Sequence, residues 1–228
     1  MAKPAATTPL HPPAPSFFPP RPSLPAFTKA VQSCEACDLY LRATRAVFGE
    51  GPRDAPLMFV GEQPGDQEDL QGHPFMGPAG KFLKASLAEV GIPPERVYLT
   101  NAVKHFNWVA SVKGAVSATG KVKRVHKPPN LAQINACRPW LEAELTLVKP
   151  KMIVCLGASA ARSLLGREFR VSQQRGETIR RPGAPWMMAT FHPSAIVRMP
   201  DRAKREEART LFLGDLRKAA VQMRKLAG

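Results

Sequence analysis

With 228 residues, the chain can build one sizeable core or at most two small domains. Hydrophobic residues make up 44%, yet no run approaches the roughly 18 consecutive apolar residues of a membrane span, so a transmembrane helix is excluded at this level. A formal charge of +15 favours a polyanionic partner.

Residues 1–26 open with MAKPAATTPLHPPAPSFFPPRP, a stretch dominated by Pro and Ala. It has neither a charged-then-apolar signal pattern nor a cleavage-like site, and a cytoplasmic protein is the default. Proline cannot donate to a ladder or a helix interior, so 1–26 is expected to be an extended, poorly ordered tail, with the folded domain over 27–228. After Pro56, LMFVGE is a short apolar run of the buried-strand kind. PAGKFLKASLAEVG follows as a helix, with Pro78 near its start and Gly91 as its stop. RVYLTNAV is a second strand, and a basic loop comes after it. Asn130 can then cap the helix LAQINACRPWLEAELTLV, in which Pro139 should produce a kink or a split. KMIVCLG reads as a third strand, ASAARSLLG as a short helix and PWMMATF as a fourth strand. The run DRAKREEARTLFLGDLRKAAVQMRKLA alternates charge sign and repeats apolar residues at helical spacing, as an amphipathic helix packed on a core does. Strands alternating with helices predict an α/β fold with a parallel sheet covered on both faces. Sites in such folds lie beyond the carboxyl ends of the strands, which directs attention to GEQPG (61–65), TNAVK (100–104) and HPS (192–194).

Charge distribution adds to this. From Arg96 to Leu141 there is no Asp or Glu, while Arg96, Lys104, Lys113, Lys121, Lys123, Arg124, Lys127 and Arg138 are basic. Such a block suits a phosphate backbone, although it can also be a solvated face. Four cysteines are present. Cys155, inside MIVCLG, reads as a small core hydrophobe. Cys34 and Cys37 form a C-x-x-C pair, and Cys137 lies a hundred residues later. Three thiolates leave a four-ligand metal site one short, and His105, directly after the second strand, is the best fourth ligand. Three sulfurs and one imidazole suit structural zinc and an iron–sulfur cluster equally well on composition.

The segment GEQPGDQEDLQGHPFMGPAGKFL resembles the signature of the family 4 iron–sulfur uracil-DNA glycosylases. With TNAVKHF, KRVHKPP and HPS in the same order, the chain is similar to their UdgX-type branch, over about residues 31–222. The resemblance implies a three-layer α/β/α fold with a central, mainly parallel four-stranded sheet. It also implies a [4Fe–4S] cluster on Cys34, Cys37, His105 and Cys137, with histidine at 105 as in the UdgX branch. Uracil-containing DNA, single strands preferred, would be the substrate, and a monomer is expected.

The implied roles make chemical sense residue by residue. A base must leave the stack to reach an active site. Phe75 would stack on its ring, and the Asn101 amide would match the O4 and N3–H edge of uracil and mismatch cytosine. Gln63 would join them in uracil binding, and His192 would donate to O2 as charge develops on the leaving base. Glu62 would stabilise a sugar of oxocarbenium character or orient a nucleophile. Asp66, Glu68 and Asp69 are expected to be solvated, with Asp66 able to support the loop. Gly77 and Gly80 would let the backbone approach a phosphate or the base at a helix start. Gly77, Lys123, Arg124 and Ser194 are expected DNA contacts. The branch typically reads Lys-Arg-Arg-Ile-His where this chain has Val122-Lys123-Arg124-Val125-His126. In that branch the histidine itself attacks C1′, so His126 is the expected nucleophile of a single-turnover reaction that leaves protein joined to DNA, with Glu62 orienting it. Two other readings stand beside it: a multiple-turnover glycosylase in which His126 only touches the backbone, and a metal-stabilised DNA-binding module without catalysis.

Overall fold

A computed structural model describes residues 11–111 and 122–226. In chain order the elements are α1 (Leu24–Ala30), β1 (Leu57–Gly61), α2 (Asp66–Gln71), α3 (Pro78–Glu89), β2 (Val97–Asn101), β3 (Trp108–Ala110), β4 (Arg124–His126), α4 (Leu131–Val148), β5 (Met152–Leu156), α5 (Gly157–Leu165), α6 (Val171–Gln174), β6 (Trp186–Thr190), α7 (Pro193–Val197) and α8 (Arg202–Lys225). The strands β2-β1-β5-β6 form one fully parallel sheet in that order.

Alternation along the buried strands builds two cores. Leu57 and Phe59 of β1, with Met152, Val154 and Leu156 of β5, face α3, α7 and α8 through Leu83, Ile196, Phe212 and Leu216. Met58 and Val60, with Ile153 and Cys155, face α4 and α5 through Leu141, Ala160 and Ala161. The period of two along a strand therefore produces the three layers α/β/α. Cys155 is fully buried among apolar neighbours, as a core residue should be.

Chain order explains where a crevice opens. After β1 the chain crosses through α3 to β2 on one side, whereas β5 lies on the other side of β1. The segments leaving β1 and β5 therefore diverge to opposite faces, and a cleft forms between their carboxyl ends.

Several expectations are corrected. The helix over 131–148 is not split at Pro139 but runs as one element. A proline costs about 3 kcal/mol in a helix interior. Here Cys137, Trp140, Leu141 and Glu144 bury both halves of the helix, and the Asn130–Gln133 capping box fixes its start. The basic loop is in part a β-hairpin, with β3 and β4 antiparallel and Trp108 opposite His126. Lys113 and Lys121 lie outside the described residues. The expected tail over 1–26 is folded from residue 11 onward. Phe18 packs 4.8 Å from the Trp140 ring and 4.9 Å from that of Phe27, and Ser23 caps α1. Two aromatics inside a proline-rich stretch supply apolar area, and prolines leave few backbone donors to satisfy. Among the described residues no helix is long and apolar enough to cross a membrane.

Candidate active site

The crevice is a cavity of about 570 Å³ whose wall brings together Glu62, Phe75, Asn101, His126 and His192. Each arrives from a different element. Glu62 follows β1, Asn101 ends β2, His126 ends β4 and His192 caps α7 after β6. Phe75 sits in the left-handed region at φ 56, an unusual conformation for a non-glycine residue. It is held there from two sides. A Cβ on Gly80 would stand 1.9 Å from the Phe75 carbonyl oxygen, and one on Gly61 would stand 3.0 Å from its ring. Glu68 supports the same loop, accepting from the Met76 and Gly77 N–H groups at 2.8 and 2.7 Å and from Gly65 N–H at 2.9 Å.

His126 Nε2 lies 3.2 Å from Glu62 Oε1. The second Glu62 oxygen accepts a short hydrogen bond from Ser159 of α5. Burial pushes the Glu62 carboxyl up, but the His126 and Ser159 contacts and the nearby imidazoles outweigh it and hold the group below its ordinary value. It is ionised at neutral pH. His192 is the reverse case. Burial, with Arg198 and His126 nearby, outweighs the attraction of Glu62 and lowers it to about 4. Its Nδ1 accepts from Ser194 N–H at 3.1 Å, so the neutral ring carries its proton on Nε2 and is a donor there.

Other expected site residues have partners within the protein. The Gln63 amide is bonded to the Asn107 peptide and the Lys127 carbonyl. Gly77 N–H is taken by Glu68, and Gly80 makes room for Phe75 rather than for a ligand. Ser194 packs its hydroxyl 2.8 Å from His192 Nδ1 and accepts from Arg198, which makes it a support for the imidazole. Arg124, expected on DNA, is bonded to Asp66 at 2.6 Å and Asp69 at 2.5 Å, and its guanidinium lies near the Phe106 and Trp108 rings. Glu68 and Asp69 are buried, not solvated, because each meets fixed donors. Lys123 is exposed. Lys104, counted in the basic block, is fully buried against Glu144.

Cys34, Cys37 and Cys137 are close enough to disfavour one another's ionisation, and Lys104 N–H, adjacent to His105, donates to Cys137 Sγ at 3.1 Å. Trp140 Nε1–H donates to Cys34 Sγ at 3.1 Å. Burial raises Cys37 to about 11 and Cys137 to about 12, and lowers His105 to about 4. Neutral imidazole and hydrogen-bonded sulfurs suit a metal centre, whose charge would ionise the thiols. Among the described residues no three such side chains are gathered tightly enough for a single ion. Three sulfurs and one neutral imidazole are donor types that structural zinc and an iron–sulfur cluster both take.

Ser159, Lys104 with Glu144, and the Asp66–Asp69–Arg124 set were missed by sequence reasoning. Only the place of Ser159 at the start of α5, directly after β5, offered a signal.

Residues 48–217 match the profile of the Uracil DNA glycosylase superfamily. The chain is 35% identical over 199 residues to the type-4 uracil-DNA glycosylase of Thermotoga maritima, spanning 87% of this chain and 93% of that protein. It is 32% identical over 206 residues to that of Archaeoglobus fulgidus, spanning 85% and 93%, and 32% over 200 residues to that of Sulfurisphaera tokodaii, spanning 80% and 79%.

Proposed function

The chain belongs to the uracil-DNA glycosylase superfamily, and on that premise we propose that it excises uracil from DNA and then remains joined to the strand through His126. Uracil in DNA as substrate is supported by relatives named for that activity that align along most of their length. The observation carrying the covalent step is the 3.2 Å separation of His126 Nε2 from Glu62 Oε1 in a cavity shared with Phe75, Asn101 and His192. A histidine that merely touched the DNA backbone would not need an ionised carboxylate beside it.

A uracil turned out of the stack enters the cavity, where Phe75 offers a ring to stack on and Asn101 an amide to read the base edge. The electron pair of the N1–C1′ bond leaves with uracil, and His192 Nε2–H donates to the base oxygen on which charge develops. Glu62 stabilises the cationic sugar. Glu62 takes the proton it shares with His126 Nε2. The freed Nε2 lone pair of the ring, protonated on Nδ1, adds to C1′. The Nδ1 proton and the Glu62 proton then pass to solvent, and the uracil anion takes a proton from solvent. One C–N bond breaks and one forms. Lys123 is exposed and free to meet phosphates, while Arg124 braces the hairpin that carries His126. The basic run before His126, together with His105, supports assignment to the UdgX-type branch. Cys34, Cys37, His105 and Cys137 would hold a [4Fe–4S] cluster, which when bound supplies a structural cross-link between the N-terminal segment and α4.

Denaturing electrophoresis of the protein with a uracil-containing single-stranded oligonucleotide tests the proposal. A one-to-one complex that survives boiling in detergent, absent for His126→Ala, is expected. Many turnovers with no complex would make the chain a conventional glycosylase. No released uracil would leave only a DNA-binding module.

A further inference from the structure

Lys104 and Glu144 form an ion pair in which both side chains have 0% exposure, with Nζ 2.6 Å from Oε2. Removing two charges from water is costly, and an apolar pair of similar volume is often at least as stable. Stability alone is therefore a poor reason for the pair. Its hydrogen bonds suggest another. Lys104 Nζ donates to Thr100 Oγ1 at 2.8 Å and to the Asn101 carbonyl oxygen at 2.8 Å, so with Glu144 all three ammonium protons are used. Glu144 accepts from Thr100 Oγ1 at 2.8 Å and from Gly49 N–H at 2.7 Å. The Lys104 peptide is itself gripped, its N–H on Cys137 Sγ and its carbonyl accepting from Val47 N–H at 2.8 Å.

We propose that the Lys104–Glu144 pair is a positioning unit for Asn101, fixing the end of β2 so that the Asn101 amide meets the base edge in one orientation. Asn101 is at the last residue of its strand, where the ladder to β1 ends at Gly61, and the side chain turns into the cavity. The next peptides, Ala102 and Val103, donate to Gly61 and Glu62, and the Lys104 ammonium donates to the Asn101 carbonyl. An ammonium is a point donor whose direction depends on its partners, and Glu144 and Thr100 set that direction. Space for Asn101 is equally restricted, since a Cβ on Gly61 would lie 2.3 Å from Asn101 Oδ1. A hydrophobic pair at 104 and 144 would fill the core and leave the carbonyl without its donor. The inference rests on the cavity being the uracil pocket.

The test is Lys104→Met, alone and combined with Glu144→Leu. The single variant should melt below wild type, because it strands a buried carboxylate. The double variant should regain that stability. Its kcat for uracil release, measured on folded protein well below the melting temperature, should still fall on the order of 100-fold, the scale set by misplacing a contact group by about 1 Å. Affinity for a uracil-free oligonucleotide should not change. A double variant that melts like wild type and keeps wild-type kcat overturns the proposal. If the double variant does not fold, Thr100→Val keeps both charges and should lower kcat about 10-fold with little change in melting temperature; wild-type kcat in it overturns the proposal as well. Absence of uracil release by wild-type protein would instead sink the glycosylase reading.

Discussion

At the residue scale, discrimination and acid sensitivity fall to two side chains. Asn101→Ala should reduce kcat/KM on uracil by the equivalent of about 1–3 kcal/mol, the usual loss of a bidentate base contact. An unchanged value would remove Asn101 from the site. His192 titrates near 4 when folded, below its ordinary value of about 6.5. Between those two values the unfolded chain binds the proton first. Its contribution to stability is therefore complete above about pH 6.5 and is lost as the pH falls towards about 4. Thermal melts across that range should show a steeper acid loss for wild type than for His192→Gln. Parallel curves would mean that His192 is not held neutral in the fold.

At the scale of elements, the hairpin β3–β4 carries His126, the proposed nucleophile, and Arg124 attaches it to α2 through Asp66 and Asp69. Arg124→Met should keep uracil release, for which the proposal uses Glu62, Asn101 and His192, while lowering the yield of covalent complex. Electrophoresis and a uracil-release assay on the same samples separate the two effects. Equal loss of both would mean that the hairpin shapes the whole pocket. On α3 the tight contact of Gly80 with Phe75 gives a second prediction. Gly80→Ala should destabilise by about 1–3 kcal/mol in chemical denaturation, because the added methyl group meets backbone that cannot move aside.

At the scale of the molecule, the N-terminal segment, α4 and the loop after β2 meet around Trp140 and the cysteines. A cluster at that junction should give yellow-brown protein with about four irons per chain, and Cys155→Ala should leave the iron content unchanged. Stoichiometric zinc in colourless, anaerobically prepared protein would refute it. Deleting residues up to 22 should lower the melting temperature, since Phe18 then leaves Trp140.

The four sheet strands and the principal helices were legible in the sequence because apolar periodicity, caps and Gly or Pro stops act within a few residues. Glu62, Phe75, Asn101, His126 and His192 were legible as well, since each follows a strand or sits in a motif, and the fold brings all five to one cavity. What the tertiary structure decided was the partner of each charge. Lys104 and Arg124 read alike as members of an acid-free block, yet one is buried against Glu144 and the other paired with Asp66 and Asp69. Ser159 reaches Glu62 across 97 residues. Segment 11–26 looked like a tail until Phe18 met Trp140. Local composition reports what a residue prefers, but an ion pair or an aromatic contact between distant segments exists only once the strand order β2-β1-β5-β6 has brought them together.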